Sequence, residues 1–155
     1  MAKRETNCQI DDTASVVVHP ALKEYFTYRF YKLALRLRAE VNEALKKHQI
    51  LGIQLGLMRV LELEGSASQI SLGRSLGIDK ATMVKLLDDL ERNGFVQRVA
   101  VKGDRRVKHI RITPAGVRLV RIGSRAREEV EERFFRILSV KEREALDRSL
   151  SKLLG

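Results

Sequence analysis

The sequence predicts a mainly α fold with one small β-hairpin, and three observations predict it. Apolar residues recur at helical spacing through most of the chain. The period changes from 3.6 to 2 only between Phe95 and Ile112. Ser68, Asp79, Thr113 and Ser139 stand where helix N-caps are needed, each with an oxygen able to accept an orphan backbone N–H.

Composition narrows the class. A chain of 155 residues is expected to form one domain with its own core. Thirty basic against 20 acidic residues give a net charge of +10 and a pI near 10.1. That surplus suits a polyanionic partner, either nucleic acid or an anionic membrane surface. The two signs are interspersed, which favours a folded, salt-bridged surface over a basic tail. The single cysteine, Cys8, forbids an intramolecular disulfide and fits a reducing cytoplasm. No apolar run reaches the ~18 residues of a membrane span, and the first dozen residues or so lack the apolar segment of an export signal. His19, His48 and His109 lie far apart without metal-ligand spacing, Cys8 has no evident base, and no phosphate-loop glycine pattern occurs. No metal, cofactor or catalytic residue is expected, and the enzyme class is set aside.

Residues 1–18 read as a flexible arm. Residues 19–50 read as an N-terminal dimerisation helix: Pro20 suits a first turn, and the helical pattern runs to Lys47, about 40 Å. Leu22, Phe26, Leu33, Leu37, Val41, Ala44 and Leu45 form its apolar face, and Tyr25, Phe26, Tyr28, Phe30 and Tyr31 crowd its start. These aromatics suit a core or subunit contact, or the wall of a ligand pocket. After a linker at His48–Leu51, a second helix over Gly52–Glu64 turns Leu55, Leu57, Met58 and Leu61 inward. Gly52 and Gly56 lie on one face and would permit a close helix approach.

The stretch from Ser68 to Asn93 reads as two short helices joined by a tight turn. Ser68 caps the first, Leu72 and Leu76 share its inner face, Gly77 ends it, and Asp79 caps the second. Ile78 and Met83 stand at hydrophobic-staple positions. Met83, Leu86, Leu87 and Leu90 form the buried stripe, which leaves Ala81, Lys85, Asp88 and Arg92 outward with Thr82 and Val84 flanking. Gly73 is costly inside a helix and makes sense if the second helix crosses there. Helix, glycine turn, helix is the sequence pattern of a helix-turn-helix.

Asn93-Gly94 stops the second helix. A strand over residues 95–101, a charged turn over residues 102–106 and a returning strand over residues 107–112 follow, with Ile110 and Ile112 on one face. A helix-turn-helix followed by a two-stranded wing is a winged helix, here residues 51–113. Its basic tip gains nothing from burial but suits a phosphate-lined groove. Thr113-Pro114 opens a helix running to Ile137 through Val117, Val120, Val130 and Phe134, and Ser139 with Glu142 forms a capping box for a last helix. These helices, residues 114–155, exceed what a winged helix needs and are expected to serve dimerisation together with residues 19–50.

Residues from about 50 to 142 resemble the MarR family of winged-helix transcription regulators. The resemblance rests on LGIDKATMVKLLDDLERNGFV at 76–96, DRRVKHIRIT at 104–113 running into PAG, and LSVKE at 138–142. It implies a triangular homodimer on an imperfectly palindromic site of double-stranded DNA, with Lys80, Ala81, Thr82, Val84 and Lys85 toward the major groove. It implies a wing of Lys102, Asp104, Arg105 and Arg106 in which Asp104 steadies Arg106 in the minor groove. It also implies a small-molecule pocket, for which Tyr25, Tyr28 and Met58 are candidate walls for an aromatic ligand. Ala81, Met83 and Val84 replace the Ser, Val and Thr common in the family, and the wing turn is shorter and lacks its usual prolines.

The expectation is a cytoplasmic, homodimeric, sequence-specific repressor, released by a small-molecule effector, with two recognition helices about 34 Å apart. Lys85 would donate to guanine O6 or N7, Thr82 would meet a thymine methyl, and Arg74 and Arg98 would contact phosphate. The rival expectation is an architectural or protein-interaction winged-helix module that binds DNA without sequence preference.

Overall fold

The computed structural model describes residues 18–101 and 104–155, with the backbone alone for Val101 and residues 104–107. Expectations for the arm up to residue 17, Cys8 included, and for Lys102 lie outside the described residues. The elements are α1 (Phe26–Leu45), α2 (Gly52–Glu64), β1 (Ser66–Ser68), α3 (Gln69–Leu76), α4 (Lys80–Arg92), β2 (Val96–Val101), β3 (Asp104–Ile112), α5 (Pro114–Phe135) and α6 (Val140–Leu154).

The single long N-terminal helix expected from Pro20 to Lys47 is divided. Pro20–Leu22 is a separate 3₁₀ turn, started by His19, whose Nδ1 accepts the Ala21 N–H at 3.2 Å. Tyr25 is extended, so α1 begins only at Phe26 and its 20 residues span about 30 Å. At the far end the chain tightens into a 3₁₀ turn at Lys46–His48, and Gln49 takes a left-handed conformation at φ 57° to reverse direction. The Gly52 N–H then donates to Asn42 Oδ1 at 2.8 Å, which fastens the start of α2 to α1.

The core lies where α1, α2 and α5 meet the winged helix. Leu45, Leu57, Met58, Leu61, Leu72, Leu87, Leu90, Ile110, Val120 and Val130 are all but fully buried in it. The close approach expected at both Gly52 and Gly56 holds at one of them. A Cβ on Gly52 would lie 3.1 Å from Val41 Cγ1, whereas one on Gly56 meets nothing within 4 Å. The tighter passages are on α5, where a Cβ on Gly123 would stand 2.7 Å from Leu55 Cδ1 and one on Gly116 2.3 Å from the Phe95 carbonyl oxygen.

The expected hairpin is a three-stranded antiparallel sheet in the order β1-β3-β2. Ser66, Ala67 and Ser68 pair with Arg111, Ile110 and His109. The added strand escapes a periodicity reading because it is three residues long and its last residue also caps α3. Opposite it, Val96 pairs with Ile112 and Arg98 with Ile110, and the register shifts at Ala100/Val101. β3 begins at Asp104 and not at Val107, so Arg105 and Arg106 belong to the strand and not to the turn.

Thr113 joins the wing's base to α5. Its hydroxyl donates to the Gly94 carbonyl at 2.7 Å and accepts the Gly116 N–H at 3.1 Å, while its own N–H donates to the Phe95 carbonyl at 3.0 Å. The capping box at Ser139 and Glu142 is formed as expected. α6 itself has no buried residue. α5 ends at Phe135, two residues short of the expected Ile137, which is 85 % exposed.

Candidate nucleic-acid interface

The helix-turn-helix is built from local hydrogen bonds. Ser68 Oγ accepts the Ser71 N–H at 3.1 Å to start α3. Gly77, at φ 64°, ends it, and the Ile78 N–H folds back on the Gly73 carbonyl at 2.9 Å. The absence of a side chain at Gly73 serves this turn: a Cβ there would lie 3.1 Å from the Ile78 carbonyl oxygen, so the crowding comes from the turn and not from α4. Asp79 then starts α4, its Oδ1 accepting the Thr82 N–H at 3.0 Å and its Oδ2 accepting the Thr82 hydroxyl at 2.6 Å. The Thr82 hydroxyl, then the backbone N–H groups, hold the Asp79 carboxyl below the usual carboxylate range.

α4 buries Met83, Leu86, Leu87 and Leu90, which fixes the face it offers to solvent. On that face Lys80, Ala81, Thr82 and Lys85 are exposed and Val84 is half-buried. Lys80, Lys85 and the exposed Arg74 of α3 form no ion pair among the described residues. The structure thus brings the five expected major-groove residues together on one surface, with the Thr82 methyl free because its hydroxyl is committed to Asp79.

Arg98 is the residue whose expected role needs correction. It was expected at phosphate, but its guanidinium is held by two carboxylates of α4, at 2.6 Å from Asp88 Oδ1 and in a short bond to Glu91. The Arg98 backbone N–H also donates to Glu91 Oε1, at 2.9 Å. Burial pulls the guanidinium down, yet the hydrogen bonds to Asp88 and Glu91 outweigh it and hold the charge more firmly than usual. The sequence carried a signal for this: Asp88 and Glu91, three apart, place negative charge on a helix otherwise suited to DNA, and such charge needs a partner.

The wing continues from this pair. β2 and β3 reach outward to Val101 and Asp104, and the backbone of Asp104, Arg105 and Arg106 opens β3 at the tip. The candidate ligand walls are not gathered. Met58 is fully buried in the core, whereas Tyr25 is exposed and Tyr28 is half-buried with the Lys32 ammonium over its ring. The grooves beside α1 are lined instead by the Glu43–Lys47 region with Val130 and Arg133, or with Ile50 and Leu51.

Known proteins share both the sequence pattern and the architecture. Residues 54–108, from α2 into β3, match the model of the MarR family. The HTH-type transcriptional regulator SarZ of Staphylococcus haemolyticus is 35% identical over 75 residues, which are 48% of this chain and 51% of SarZ. The chain thus spans about half the length of the curated relative it matches. A probable transcriptional regulator from Pseudomonas aeruginosa superposes with a TM-score of 0.77 at 25% identity, over 85% of this chain and 98% of that one. MepR of S. aureus, solved as a complex with DNA, superposes with a TM-score of 0.71 at 25% identity, over 83% and 96% of the two chains. Among the described residues, no helix is long and apolar enough to cross a membrane. Residues 54–108 thus match a MarR-family domain, and the chain as a whole shares the winged-helix fold of these solved structures.

Proposed function

We propose that the protein is a sequence-specific regulator of transcription, a repressor that binds a palindromic site in double-stranded DNA as a homodimer in the cytoplasm. The observation that carries this reading is the surface of α4. Its apolar stripe is fully used in the core, and Lys80 and Lys85, without an ion pair among the described residues, flank Ala81, Thr82 and Val84 on the opposite side. A cation, a methyl-bearing face and no competing ion pair suit the floor of a major groove. That SarZ is a regulator and that MepR was solved with DNA agree with it. In this reading Arg74 neutralises phosphate, and Lys102, Asp104, Arg105 and Arg106 serve the minor groove.

Residues 51–113 are the DNA-binding unit in this reading, and residues 19–50 and 114–155 are the dimerisation units. Exposed Tyr25, Phe26, Phe30 and Tyr31 at the start of α1, with Leu153 and Leu154 at the end of α6, support that division, because such side chains gain from burial against a second chain. Selection of bound duplexes from a random DNA pool tests the proposal. The expected result is a two-fold symmetric consensus, half-sites about ten base pairs apart, preferred over bulk DNA by about 10³ or more. Uniform recovery without a consensus would assign the chain to the architectural class.

A further inference from the structure

We infer that Arg98 is a positioning residue: by bridging Asp88 and Glu91 it fixes the wing to the recognition helix at the angle at which both grooves are reached together. The inference rests on the DNA-binding reading above. α4 ends at Arg92 and β2 begins at Val96, so only Asn93, Gly94 and Phe95 connect them, with Gly94 at φ 74°. A link this short around a left-handed glycine sets the distance between helix and wing but leaves their relative rotation to packing and to whatever crosses the gap. Leu90 and Val96 pack beneath it. Apolar contacts of that kind have no preferred direction.

The directional element is the bridge. β2 is an edge strand of the sheet, so one row of its backbone groups has no partner strand. Glu91 takes one of these, the Arg98 N–H, and with its other oxygen takes the guanidinium of the same residue. The second arm of the guanidinium reaches Asp88, one turn earlier on α4. One planar group therefore ties two successive turns of the helix to one position of the strand. A lysine ammonium, a point charge, cannot span both with fixed geometry. The bridge also compensates acidic charge on a helix that must approach phosphate. At 24 % side-chain exposure and with both arms engaged, Arg98 has little left to offer a phosphate directly.

The test uses the full chain and the duplex that the wild type selects. Hydroxyl-radical cleavage reads the minor groove, and dimethyl sulfate protection of guanine N7 reads the major groove. Arg98→Gln, Arg98→Lys and Glu91→Ala are each expected to lose minor-groove protection at the wing, keep N7 protection, and bind about ten-fold more weakly. The Arg98→Gln/Glu91→Ala double variant is expected to bind no more weakly than either single one. Glu91→Ala is the sharpest arm and does not depend on the Arg98 variants folding, because it removes negative charge from a DNA-binding surface. If Arg98 served phosphate alone, this variant would bind as tightly as wild type or more so, with both protections intact, and that result overturns the inference. Wild-type affinity of Arg98→Lys, or loss of both protections together, overturns it as well. A wild type that protects no duplex removes the proposed function, which separates that failure from failure of the inference.

Discussion

Thr82 donates both its hydroxyl and its N–H to the carboxylate of Asp79, at 2.6 and 3.0 Å. The first turn of α4 is thereby fixed, and in the proposed function the Thr82 methyl is the part of that residue left for recognition. Thr82→Ser keeps the hydroxyl and removes the methyl, so it should leave the melting temperature nearly unchanged. It should weaken binding at one base pair by about 1 kcal/mol, read by competition between duplexes with and without a thymine methyl there. Thr82→Val should do the reverse, lowering the melting temperature with base preference retained.

The same contact sets an acid limit. The Asp79 carboxyl is depressed by the Thr82 hydroxyl and N–H, and that of Glu142 by the Ser139 hydroxyl and N–H. A depressed carboxylate contributes stability that is complete above its unfolded value and is lost as pH falls through the lower folded one. Stability should therefore decline below about pH 4, and Asp79→Ala should flatten part of that decline. Urea unfolding midpoints followed downward from neutral pH measure it; an unaltered acid limb in the variant would detach Asp79 from the effect.

Three glycines should respond to alanine in opposite senses. Gly116→Ala drives a Cβ to 2.3 Å from the Phe95 carbonyl oxygen, which is backbone and cannot swing aside, so a loss of about 2–3 kcal/mol is expected. Gly123→Ala meets the end of the Leu55 side chain, which can re-orient, so its cost should be smaller. Gly56→Ala enters open space within a helix and should gain about 0.5–1 kcal/mol. Denaturant melts of the three variants test the ranking.

What the sequence disclosed and what it withheld divide by range. The caps at Ser68, Asp79, Thr113 and Ser139 and the stripe Met83, Leu86, Leu87 and Leu90 depend on residues within a few positions of one another, and all are present. β1 went unread because its partners, His109 to Arg111, lie some forty residues away. The commitment of Arg98 went unread because it needs α4 to fold back beside β2. Gly116 was legible as the end of the motif that runs from the wing into α5, but its closeness to Phe95 follows from the path of α5. The α4 surface was the most legible part of the candidate site, since a fixed inner stripe determines the outer face.

Lys85 and Arg106 should separate the two grooves. Lys85→Ala removes an exposed cation from the centre of the α4 surface and should cost about 1–3 kcal/mol on the selected duplex while affecting bulk DNA less. Arg106→Ala should weaken binding and reduce the slope of log affinity against log salt by about 0.9 if one phosphate neutralisation is lost. Gel-shift titrations at several salt concentrations read both quantities. Wild-type affinity in both variants would remove α4 and the wing from the interface.

The last helix should tell whether two chains are needed. α6 is 15 residues long, buries none of them, and leaves Val140, Leu153 and Leu154 largely exposed. Leu146 and Leu150 are only half-buried, beside Phe135 across a shallow groove. A helix of this length is marginal alone in water, even with a sound capping box, so burial against a second chain, as the proposed function has it, would add to its stability. Leu153→Glu with Leu154→Glu should convert a dimer to a monomer in sedimentation velocity. The far-ultraviolet circular dichroism of the core helices should remain, because neither leucine contributes to that core. Each head would then bind its half-site alone, and affinity for the full palindrome should fall by about 10²-fold or more as the second head's effective concentration is lost. A variant that stays dimeric would place the subunit contact elsewhere, and a dimer lost without loss of affinity would mean that one head suffices.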